Sequence, residues 1–144
     1  MKRAKIMTTF YSTNNHDSVE YIPEEYDMIV KRIRELVKQI AGGEQKQVLI
    51  LQTADDQIHE AIIDAPYDAC ENLLNAIGKG NTVIRLVCCW PNGWFDLPSY
   101  HFRKKLCELN PNNETAQMLL TGEKAFVLKS IRDTFPNANS PFAR

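Results

Sequence analysis

Little in this chain announces a reaction. Its four cysteines, Cys70, Cys88, Cys89 and Cys107, include no C-x-x-C pair and sit inside apolar segments. They are expected to be buried thiols, neither disulfides nor zinc ligands. No G-x-S-x-G, no H-E-x-x-H and no calcium loop occurs, so the best-known nucleophile and metal signatures are missing. Gly42-Gly43 and Gly78-Lys79-Gly80 follow helical patterns instead of opening them, the wrong side for phosphate on a helix N-terminus. The longest apolar runs, Val48–Leu51 and Leu86–Trp90, are four and five residues. A transmembrane helix needs about 20. Seventeen Lys and Arg stand against eighteen Asp and Glu, and the pI near 6.3 is far from that of an ordinary nucleic-acid binder. The basic Met1-Lys2-Arg3-Ala4-Lys5 resembles the start of a secretory signal, but Thr8, Thr9, Ser12 and Thr13 interrupt any apolar core after it. A cytoplasmic location is expected, with no membrane and no cofactor.

What is present fits a single α+β domain over 1–144: 44% hydrophobic and 24% charged residues, with no repeat or linker. The clearest element is a helix at 23–41, with Pro23 at its start and Tyr26, Ile29, Val30, Ile33, Leu36, Val37 and Ile40 in one stripe. Strands are expected near 47–53 and 57–63, joined across Ala54-Asp55-Asp56, and near 82–90, ending at Pro91-Asn92-Gly93. A strand near 115–120 completes a mixed or antiparallel sheet. Further helices are expected at 65–77 and 98–109. Residues 123–135 read as a last helix through Lys124, Leu128, Ile131 and Phe135, with a hairpin across Gly122-Glu123 as the alternative. A short strand at 6–12 is the most that 1–20 offers, and 1–20 and 137–144 read as loose ends.

Charge is distributed unevenly. Residues 1–72 carry a net charge of -5 and residues 73–144 a net charge of +4. No Lys or Arg falls between Lys46 and Lys79, an interval holding Asp55, Asp56, Glu60, Asp64, Asp68 and Glu71. Uncompensated, these carboxylates would steer a basic protein partner; the blander expectation is a solvated face with counter-charges from elsewhere in the fold. Both tryptophans flank one turn in Trp90-Pro91-Asn92-Gly93-Trp94-Phe95, and such aromatics commonly anchor interfaces.

Together these features point to a protein-binding module. Its sharpest form is an inhibitor or immunity protein that neutralises a basic effector such as a nuclease toxin. The expected contact residues are Trp90, Asn92, Trp94, Phe95, Asp55, Asp56, Glu60, Asp64 and Asp68, with no catalytic or metal-binding residue assigned. The alternatives are a small enzyme pairing a cysteine such as Cys88 or Cys107 with His101, and nucleic-acid binding by the helix carrying His101, Arg103, Lys104 and Lys105. The second is disfavoured because three consecutive basic residues span most of a helical turn and share no single face.

Overall fold

Val48, Leu49, Ile50 and Leu51 are all fully buried, although successive strand residues point to opposite faces. A strand with this pattern must be covered on both sides. The computed structural model, which describes residues 18–19, 21–42, 45–64 and 70–135, shows that arrangement: one sheet between two helical layers. The strands are β1 (Ser18–Val19), β2 (Lys46–Thr53), β3 (Ile58–Asp64), β4 (Val83–Cys89), β5 (Phe95–Asp96), β6 (Gln117–Thr121) and β7 (Phe126–Ser130). Their order is β1-β7-β6-β4-β2-β3, with β5 added to the end of β4. Only β4 and β6 run parallel, in the register Arg85↔Gln117 and Leu86↔Met118; every other pairing is antiparallel.

One face is covered by α1 (Asp27–Gln39), entered through a 3-10 turn at Glu24–Tyr26. Its stripe is the expected one, with Tyr26, Ile29, Val30, Ile33, Leu36 and Ile40 buried against Val48, Ile50, Val87 and Cys89. Each such aliphatic side chain contributes about 1.5–3 kcal/mol by leaving water. The opposite face is covered by α2 (Glu71–Ile77) and α3 (Tyr100–Leu109). Cys88 packs on the α2/α3 side and Cys89 on the α1 side, as adjacent strand positions must.

Two expectations change. The described part of the second helix begins at Glu71, after Cys70 in the left-handed region at φ 53°; residues 65–69 lie outside the described residues. The helix expected at 123–135 is instead the strand β7 followed by a 3-10 turn at Arg132–Thr134. Gly122 explains why: a Cβ there would lie 2.2 Å from the Ala125 carbonyl oxygen, so only glycine permits the tight β6–β7 turn. Beyond it Phe126 and Val127 are buried on opposite faces, the period of a strand. The expected strand at 6–12 and the loose ends at 1–20 and 137–144 lie outside the described residues, except Ser18–Val19, which form the strand β1 instead. No helix among the described residues is long and apolar enough to cross a membrane.

Candidate functional site

The antiparallel register separates the two halves of the expected binding face. Thr53 pairs with Val83 at one end of the sheet, and Val48 pairs with Cys89 at the other. The Asp55-Asp56 loop and the Trp90–Trp94 turn therefore lie at opposite ends of β2, about 20 Å apart at roughly 3.3 Å per residue.

The carboxylates are also compensated from outside their interval. Glu60 accepts from Arg32 of α1 at both oxygens, 2.7 and 3.0 Å, and this hydrogen-bonded pair holds its carboxyl below the usual range. Asp64 accepts from Lys46 Nζ at 2.7 Å. Asp55 accepts from the Thr53 hydroxyl and the Gln57 amide, and the Thr53 bond is the largest influence lowering its pKa. Asp56, at φ 70°, accepts from Gln52 Nε2 at 2.8 Å. These two aspartates build the loop. Asp68 lies outside the described residues.

At the aromatic turn, Phe95 is not a surface anchor. It is buried, stacked on Phe126 with centroids 6.1 Å apart, because β5 pairs with the end of β4 and turns the ring under α1. Trp90 is half-buried and its indole N–H donates to Asp96 Oδ2 at 2.8 Å. Asn92 is exposed, but its side chain accepts from the Trp94 amide at 2.9 Å and so closes the turn; Trp94 is half-buried.

The alternatives fare no better in detail. Arg103 is buried: its Nε donates to the Pro98 carbonyl at 3.0 Å, its Nη1 donates to Thr134 Oγ1 at 2.6 Å, and Tyr100 and Phe135 flank the guanidinium. It is turned away from any phosphate. Desolvation pushes the Cys88 thiol well above its ordinary pKa and the Cys89 and Cys107 thiols up to about 12, the opposite of an activated nucleophile. His101 is exposed while Cys107, on the same helix, is buried, so the two do not meet.

A different place has the form of a site. In open sheets containing parallel strands, ligands bind outside the carboxyl ends of those strands. Here β4 and β6 end where β2 begins, where β3 ends and where α2 and α3 start. At that end of the sheet, but on its β3 edge, a cavity of about 250 Å³ lies between the end of β3 and the start of α2, lined by Ile62, Ile63, Cys70, Glu71 and Asn72 among others. Gln47 does not itself line the cavity; it is the cross-strand partner of the lining residue Ile63 and points to the same face. Gln47 is 2% exposed and its Oε1 has no hydrogen-bond partner. A buried acceptor without a donor costs about 1–3 kcal/mol, which makes it a place to look for a missing partner. The sequence carried a usable signal for it: Gln47, Leu49, Leu51 and Thr53 share one strand face, so a polar residue stood at an inward position.

No family model matches the sequence, and no curated protein matches it. Among solved structures the chain resembles the cytidine deaminase from Bacillus anthracis, with TM-score 0.50 and 13% identity over 75% of this chain and 87% of that one. The cytidine deaminase from Mycobacterium leprae matches at TM-score 0.47, with 14% identity over 72% of this chain and 98% of that chain. A variant cytidine deaminase from Mycobacterium tuberculosis matches at 0.49, with 19% identity over 75% and 95%. At these identities the likeness is one of fold. It nevertheless corrects the expectation of an inhibitor or immunity protein: the solved structure that shares this architecture is a cytidine deaminase.

Zinc deaminases hold their metal with three His or Cys donors beside a glutamate, in the pattern H-x-E…P-C-x-x-C. The chain contains no C-x-x-C and no H-x-E. Among the described residues no three His, Cys, Asp or Glu side chains converge as a metal site. The residues at the crevice do not fit zinc.

Proposed function

We propose that this chain binds a small nucleoside-like molecule in the crevice between the end of β3 and the start of α2. The observation that carries the proposal is the unpartnered Oε1 of Gln47 beside the cavity edged by Ile63 and Glu71. A nucleobase supplies an N–H for that oxygen and a flat face for the apolar side chain of Ile63. The exposed Glu71 carboxylate at the rim accepts from sugar hydroxyls. The volume of about 250 Å³ lies just under the usual range for ligand pockets, which suits a ligand of this size. The resemblance to the Bacillus anthracis cytidine deaminase supports the choice of ligand class at the level of fold.

Cytidine is the first probe. Titrated into the labelled protein, it is expected to move the amide resonances of Ile63, Cys70 and Glu71 while leaving those of Asp55 and Asp56 in place. Gln47→Leu is expected to weaken that binding about tenfold, or about 1.4 kcal/mol, since the ligand donor is then left unpaired. Shifts confined to the hairpin end, or wild-type affinity in a folded Gln47→Leu protein, overturn the proposal.

A further inference from the structure

We infer that the start of α3 is a packed, hydrogen-bonded joint that holds no zinc, and that the crevice handles its ligand without a zinc-activated water. The inference deepens the ligand proposal and rests on it for the ligand's class alone.

Pro98 opens α3 at the crevice end of the sheet, and the residues after it are Ser99, Tyr100, His101 and Phe102. In the pattern P-C-x-x-C the two cysteines stand directly after the proline and three residues later. Those places hold Ser99 and Phe102. The Ser99 hydroxyl oxygen accepts from the Phe102 amide at 3.0 Å, a helix N-cap. Phe102 is fully buried in the same apolar cluster as Cys88 and Leu106, and a phenyl ring has no donor atom for a metal. At the start of α2, Cys70 and Glu71 are adjacent, without the intervening residue of H-x-E.

A cross-link of another kind ties this joint together. The Arg103 guanidinium joins the Pro98 carbonyl, at the start of α3, to the carbonyl and hydroxyl oxygens of Thr134, thirty-one residues on. The rings of Tyr100 and Phe135 lie 5.8 and 5.3 Å from it, in edge contact with each other at 5.5 Å. A structural metal ties distant segments together by coordination. Here a planar, permanently charged fork does so with directed hydrogen bonds and ring contacts.

The test measures metal and stability on the whole chain. Protein produced in zinc-supplemented medium and purified without chelator is expected to hold far less than one zinc per chain. Its melting temperature is expected to be the same in EDTA and in added zinc, and incubated cytidine is expected to be recovered unchanged. Stoichiometric zinc whose removal by EDTA lowers the melting temperature, or uridine formed in the presence of zinc, overturns the inference. Arg103→Met tests the joint and is expected to lower the melting temperature by on the order of 5 °C or more in EDTA and zinc alike. Should that variant fail to fold, Thr134→Val removes one acceptor and gives a smaller drop in the same direction. An unchanged melting temperature in either variant overturns the joint. Failure of cytidine to bind strikes the ligand proposal, whereas the zinc content still decides this one.

Discussion

At the hairpin end of the sheet, the loop aspartates are satisfied locally: Asp55 takes the Thr53 hydroxyl and the Gln57 amide, and Asp56 takes Gln52. At the crevice end, Gln47 is buried with its carbonyl oxygen lacking a donor, beside a cavity. The first end also keeps one buried atom without a partner, His59 Nε2, but has no cavity described beside it; the second has a cavity lined by Ile63, the cross-strand partner of its unpartnered glutamine. The contrast reverses the weight that charge alone suggests, because the conspicuous acidic residues build a loop and the inconspicuous glutamine marks the opening. A conspicuous side chain is often conspicuous because a turn needs it.

The sharpest way to break the comparison is to remove the wall both ends share. Ile33 of α1 is fully buried against the sheet, and Ile33→Asp is expected to cost more than about 4 kcal/mol by burying an unpaired carboxylate. Urea unfolding checks it, and unchanged stability refutes the packing of α1. A smaller effect of opposite sign sharpens the contrast. Gln47→Leu replaces an unsatisfied polar group by an apolar one of similar size, and is expected to stabilise the ligand-free protein by about 1 kcal/mol. A drop in the urea midpoint means instead that the glutamine has a structural role. The smallest effect is expected at Glu60, whose carboxyl is held low by Arg32. A depressed pKa contributes stability above the ordinary carboxylate range and loses it as pH falls through the folded value. Glu60→Gln is therefore expected to lower stability slightly at pH 7 and not at all once Glu60 is protonated, as thermal melts across acid pH will show.

Much of the architecture was legible because its signals are periodic. The stripe from Tyr26 to Ile40, the apolar run Val48–Leu51 and the β-branched stretch before Trp90 each state an element and its buried face. Residues 123–135 misled because Lys124, Leu128, Ile131 and Phe135 match a helical period by coincidence. The turn that overrides it depends on a single glycine and on a backbone contact that spacing does not encode. The candidate site was harder for a related reason. Arg32 and Lys46 reach Glu60 and Asp64 only after folding, so the acidic interval looked unbalanced in one dimension. Gln47 acquires meaning only when its strand is known to be covered on both faces. Phe95 shows the converse: an aromatic at a turn became core because its two-residue strand pairs with β4.

The parallel pairing of β4 with β6 has a consequence for the route by which the chain folds. The β2–β3 and β6–β7 pairs are hairpins whose partners are close in sequence, so each can form early. Joining them through Arg85↔Gln117 closes a loop of about 30 residues, which costs on the order of 3 kcal/mol of chain entropy before any contact rewards it. Phe102 and Leu106 of α3 lie within that loop and belong to the same buried cluster as Leu86 and Met118, so α3 is the element placed to repay that closure. Refolding speed should therefore respond to substitutions on α3 more than to those in either hairpin, making the helix beside the crevice also the timekeeper of assembly.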